Sequence, residues 1–175
     1  HKYDCQDYEH IDPHLTVIKN DGGYVLPNKC FDNMMASKYI ARTANLENLE
    51  ASNEYFARFC EEIHRRGMRI IMDGVFNHSG SFNKWMDRER IYEGSEGYAH
   101  GAYVSADSPY RNFFRWFSNG VYDGWWGHDT LPKLNYEGDS GLENYILEIG
   151  KKWVSPPYNA DGWRLDVAAD LGRTP

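Results

Sequence analysis

An α/β fold organised around a parallel sheet is what this 175-residue sequence predicts, and three observations predict it. A segment of helical period followed by a short apolar run occurs twice. Each run follows a glycine or a proline pair, the usual punctuation before a buried strand. Between the two units lies a long stretch rich in Gly, Ser, Asn, Asp and Trp that keeps no period, which marks an excursion from the fold and not a third unit.

The first unit begins at residues 45–66, NLENLEASNEYFARFCEEIHRR, where Tyr55, Phe56, Phe59, Cys60 and Ile63 recur at helical spacing behind a cap at Asn45 or Ser52. Gly67 stops this helix. The next run, MRIIMDGVF at 68–76, is short and apolar and fits a strand buried on both faces. Residues 79–138 form the excursion. The second unit opens with a cap at Asp139 or Ser140 and a helix in GLENYILEIGKKWV at 141–154, whose Leu142, Tyr145, Ile146, Ile149 and Trp153 share one face. Pro156 and Pro157 close it, and ADGWRLDVAA follows as the second strand. Residues 19–44, ahead of the first good helix, read as irregular.

A hydrophobic content of 41%, with 15% aromatic residues, is enough for a packed core. Twenty-six acidic against nineteen basic residues give a formal charge of -7, which argues against nucleic acid and anionic membranes as partners and favours a neutral or cationic ligand. No apolar run approaches the roughly 20 residues of a membrane span. Cys5, Cys30 and Cys60 are odd in number and lack CxxC spacing, so they read as reduced structural thiols, not as a disulfide framework or a zinc knuckle. Reduced thiols favour a cytoplasmic setting, although the chain carries no address of its own. Six tryptophans and thirteen tyrosines are many for this length. Several lie in polar loops such as NGVYDGWWGHD at 119–129, where an aromatic ring either anchors packing or stacks on a sugar.

Both candidate strands end in polar residues, and sites in parallel α/β folds assemble at the carboxyl ends of strands. Strand alternation puts Asp73, Val75 and Asn77 on one side, and Arg164 with Asp166 on one side. A carboxylate in a buried strand is costly unless paired, and Arg164 is the partner that would keep Asp166 charged. Such an aspartate is a nucleophile, a metal ligand or half of a structural ion pair; spacing alone leaves all three open. His78 follows Asn77 where the chain leaves the strand, and a lone histidine is as ordinary in a core or on a surface as in a site. His10 and His14 with Asp4, Asp7 and Asp12 do not form a metal cluster, because Pro13 breaks any helix that would align them.

These segments carry a resemblance. DGVFNH at 73–78 resembles the first conserved region of the α-amylase family, glycoside hydrolase family 13, whose pattern is D-x-V-x-N-H. GWRLDVAAD resembles its second, G-x-R-x-D. LPKLN at 131–135 resembles the region near the end of the family's inserted domain, in the Lys-containing form of the cyclomaltodextrinase, neopullulanase and maltogenic amylase group. HKYDCQDYEHIDPH at 1–14 resembles the family's second βα loop, with its His-x-Tyr pair.

The resemblance implies a partial TIM (β/α)8 barrel with a loop-rich inserted domain B between the third strand and third helix. Residues 1–78 and 139–175 would be barrel segments and 79–138 domain B. It implies a retaining hydrolase of α-glucosidic bonds in starch-derived oligosaccharides, cyclodextrins or pullulan, with Asp166 as nucleophile and Arg164 orienting it. His1, Tyr3 and His78 would contact the sugar, and Asp170 the leaving-group side. Asp73 would organise the strand ends by engaging Arg164, and Asn77 would be structural or, in calcium-dependent relatives, part of a calcium site. Lys133 stands where other branches carry an acid, which weakens the case for calcium. The general-acid glutamate would lie on a strand this chain does not contain. The chain alone is therefore expected to be inactive and to lean on the missing remainder of the barrel or on homo-oligomer contacts. Two other readings share these residues: a non-catalytic carbohydrate-binding or scaffold module, and a metal-dependent hydrolase using Asp73, His78 and Asp166.

Overall fold

The structure, a computed structural model, describes residues 3–137 and 141–171. Helix α1 spans Ser37–Ala44, α2 Leu46–Arg65 and α3 Leu142–Val154. Strand β1 (Ile71–Gly74) pairs in parallel with β4 (Gly162–Leu165), and β2 (Trp116–Ser118) pairs antiparallel with β3 (Val121–Tyr122). The parallel pair is the one the two helix-to-strand units predict.

Helix α2 starts at the expected cap, with the Asn45 side chain accepting from the backbone N–H of Asn48 at 3.1 Å, and Gly67 follows its end with a positive φ of 74°. Its buried face matches the expected one only in part: Cys60 is buried and Phe56 packs against the core. Tyr55 and Phe59 are exposed, whereas Asn48, Leu49, Ser52 and Asn53 are buried. The reason is backbone satisfaction. Asn48 Oδ1 accepts from the N–H groups of Lys19 and Asn20, both at 2.8 Å, and its Nδ2 donates to the Asn20 carbonyl at 2.9 Å. Asn53 does the same for the Ile11 N–H and the Glu9 carbonyl. Amide side chains thereby supply the partners that an irregular segment packed on a helix lacks. Residues 19–44 are not wholly irregular, because α1 lies within them. Its Ala44 packs with Ile91 and Tyr92, and Ile40 lies against that cluster, so long-range contacts stabilise an eight-residue helix whose local signals are weak.

In α3 the apolar face is as expected: Leu142, Ile146, Ile149 and Trp153 are buried and Tyr145 packs beside them. The expected caps, Asp139 and Ser140, lie outside the described residues. These side chains join Tyr8, Phe76, Trp85, Phe113, Phe114 and Leu134 in one buried cluster, so the excursion at 79–138 shares its core with α3 and the strand ends. Cys5, Cys30 and Cys60 are unpaired. No described helix is long and apolar enough to cross a membrane.

A further expectation fails. The strands are not buried on both faces: Met72 and Trp163 pack on the core, while Ile71, Asp73 and Arg164 on the opposite face are exposed. Among the described residues the elements pack on one side of the β1–β4 pair only, and a strand pair has a covered second face only where a further layer or a closed barrel provides it.

Candidate active site

The site is built where β1 and β4 end. In the parallel register Asp73 stands beside Arg164, and Arg164 Nη1 donates both to Asp73 Oδ1 at 2.9 Å and to Asp166 Oδ1 at 2.7 Å. These hydrogen bonds, the one to Asp73 first, push the guanidinium pKa still higher. Arg164 and Asp73 are half-exposed, and pairs of that kind add little to stability; Asp166 is only 14% exposed. The bond from Arg164 fixes the position of Asp166 Oδ1. The Arg164 guanidinium thus bridges the two carboxylates.

Beyond Gly74 the chain leaves the ladder, and its carbonyl groups need other partners. The Tyr8 hydroxyl lies 2.8 Å from the carbonyl oxygens of both Val75 and His78. Tyr136 donates to Phe76 O, and the Leu134 N–H to Asn77 O at 3.0 Å. Residues 132–134 thus run beside the strand end, with His78 bridged to Lys133.

This scaffold fixes His78. Its ring is 1% exposed and stacks on Trp125, centroids 5.1 Å apart at 15°. Nε2 lies 3.2 Å from the Tyr3 carbonyl and Nδ1 lies 3.3 Å from Asn77 Nδ2, so the consistent assignment is a neutral ring that donates from Nε2 and accepts at Nδ1. Burial lowers its pKa, against the opposing pull of the Tyr3 carbonyl and the Asp166 charge. Tyr3 reaches the site from the N-terminal segment, with the Arg164 guanidinium 5.9 Å from its ring centroid. Asp170 accepts from Trp125 Nε1 at 3.2 Å. His1 lies outside the described residues.

Asp73, Arg164, Asp166, His78, Asn77, Tyr3 and Asp170 are thus linked through direct contacts or one shared neighbour. Sequence reasoning missed Tyr8 and Tyr136 as the groups that hold the strand end, and Trp125 as the ring joining His78 to Asp170. The signal for Trp125 was its place in the glycine-flanked Trp pair of the polar loop. Asn77 Oδ1 is buried without a protein partner, which raises calcium as a question. Among the described residues no three Asp, Glu, His or Cys side chains converge as a metal site, so this single amide oxygen does not make a calcium site.

A family model described as the alpha amylase catalytic domain matches residues 30–175. Over 181 aligned positions the chain is 32% identical to an amylopullulanase of Thermoanaerobacterium thermosulfurigenes, covering 94% of this chain and 10% of that protein. It is 29% identical to an intracellular maltogenic amylase of Bacillus subtilis (strain 168), covering 98% and 21%. Among solved structures, the ligand-free cyclic α-maltosyl-(1→6)-maltose hydrolase of Arthrobacter globiformis superposes with a TM-score of 0.59 at 25% identity, over 98% of this chain and 29% of that one. The chain spans less than a third of the length of each of these proteins.

Proposed function

The chain belongs to the alpha-amylase catalytic-domain family, and from that premise we propose that it supplies the nucleophile side of the active site in a retaining hydrolase of α-glucosidic bonds. The TIM (β/α)8 barrel is that family's fold. Residues 79–138 are the inserted domain B and residues 1–78 and 139–175 barrel segments, with the exposed face bearing Asp73 and Arg164 turned to the barrel interior. The single observation that carries the reading is the bridge from Arg164 to both Asp73 and Asp166 at the ends of two adjacent parallel strands.

In this mechanism Asp166 Oδ1 is held by Arg164 and Oδ2 attacks the anomeric carbon. The glycosidic C–O bond breaks as its oxygen takes a proton from a carboxylic acid, and water then cleaves the glycosyl ester with that group acting as base. Retention places this acid about 5 Å from the nucleophile. No carboxyl group of this chain matches it by motif, so the acid is assigned to another part of the barrel. His78 exchanges the Tyr3 carbonyl for a sugar hydroxyl, the Tyr3 ring lies against the sugar face, and Asp170 shapes the leaving-group side through Trp125. The relatives' names point to starch-derived α-glucans, pullulan and cyclic maltosides as the substrate class.

The test is Asp166→Asn in the intact enzyme that carries this chain. Turnover of maltohexaose should fall by on the order of 10⁴-fold or more, and the wild type should release product with retained anomeric configuration by proton NMR. Near-normal turnover of the variant, or inverted product, would remove Asp166 from this role.

A further inference from the structure

Trp126 is a tryptophan that the fold holds away from its core. It is 82% exposed, whereas Trp85 and Trp153 are buried. Its backbone is left-handed, at φ 52° and ψ 29°, a conformation uncommon for any residue but glycine. The surrounding turn enforces it. Gly127 N–H donates to Gly124 O at 2.8 Å and His128 N–H to Trp125 O at 3.1 Å. Gly124 lies so close to His128 that a β-carbon on it would stand 2.2 Å from the His128 carbonyl oxygen. Trp125, held by His78 and Asp170, faces the site; the next ring, 5.8 Å away and inclined by 48°, faces solvent.

Both rings border a cleft of about 620 Å³ that Asp170 and Ala169 also line, within the size range of small-ligand sites. The cleft is therefore continuous with the turn that follows Asp166. The residues that line it include Arg115 and Lys133 together with Asp123, Glu137 and Asp170, a near balance of charge that suits an uncharged ligand with hydroxyl groups to bond and a flat apolar face to stack.

We propose that Trp126 is a stacking platform for a glucosyl unit beyond the one attacked by Asp166, and so sets a preference for longer glucan chains. The inference rests on the hydrolase reading above. Its test compares Trp126→Ala and Trp126→Phe with the wild-type intact enzyme on maltoheptaose and on p-nitrophenyl α-glucoside. The ratio of kcat/KM for the long substrate to that for the short one should fall about five- to tenfold in the alanine variant, the size of one lost aromatic stack. It should recover substantially in the phenylalanine variant. An equal loss on both substrates, or none, overturns the platform. Wild-type cleavage of maltoheptaose tests the hydrolase reading separately. Should that cleavage be absent, calorimetric binding of maltoheptaose decides the platform: weaker binding by the alanine variant than by wild type supports it, and equal or absent binding rejects it.

Discussion

Asp87 shows how a single buried carboxyl group ties stability to pH. It is fully buried, its Oδ1 accepts from the N–H groups of Ile91 at 2.8 Å and Tyr92 at 3.3 Å, and its Oδ2 has no partner. Burial raises its pKa to about 7, and the charges of Glu93 and Glu89 add to the rise. A group raised in the folded state stabilises fully below its unfolded pKa, near 4, and that contribution is lost as pH climbs through about 7. Asp87→Asn keeps the acceptor and tolerates the positive φ of 46°. It should therefore stabilise the protein by about 1–2 kcal/mol at pH 8 and by close to nothing at pH 4; urea unfolding at the two pH values measures this, and an equal effect at both would show that the charge is not the cause. Where β1 and β4 end, the same-face placement of Arg164 and Asp166 was legible because strand alternation has period two. The partnership of Arg164 with Asp73 was legible only through the family resemblance and not from local spacing, since it depends on which residue of β1 stands opposite across 91 positions of sequence.

The elements divide by how local their causes are. Helix α2 has a cap, an acidic first turn and a basic last turn, and its boundaries were readable from those signals. Asn45→Ala removes the hydrogen bond to the Asn48 N–H and the contact from Asn20 Nδ2 at 3.0 Å. It should cost about 1 kcal/mol of stability, read as a lower urea midpoint at constant slope; an unchanged midpoint would show that the cap is idle. Helix α1 has no side-chain cap bond, and its packing on α2, the N-terminal segment and the excursion explains its presence. Val75 and Phe76 read as the end of the strand, yet the chain leaves the ladder after Gly74 and its path follows from hydroxyl donors 60 to 70 positions away in sequence, Tyr8 and Tyr136.

At the scale of the whole molecule, one side of the β1–β4 pair is a packed core and the other is open among the described residues. Ile71 is 59% exposed, and Tyr24 and Phe31 elsewhere on the surface are more exposed still. Apolar surface of this kind, next to strands with uncovered edges, favours association. The 175-residue chain on its own should therefore sediment as a dimer or larger at micromolar concentration, and a strict monomer under those conditions would show that water tolerates the open face.

The sequence by itself determined the helical periods of α2 and α3, the parallel pairing of two strand units and the segments that carry the family's motifs. Each of these is written in spacing over a few residues. Tertiary structure alone decided that Asn48 and Asn53, and not Tyr55 and Phe59, face inward, that Trp125 joins His78 to Asp170, and that the strand pair has an open face. Those outcomes follow from satisfying buried backbone groups and from covering apolar surface. Both are properties of the assembled chain, which no local period records.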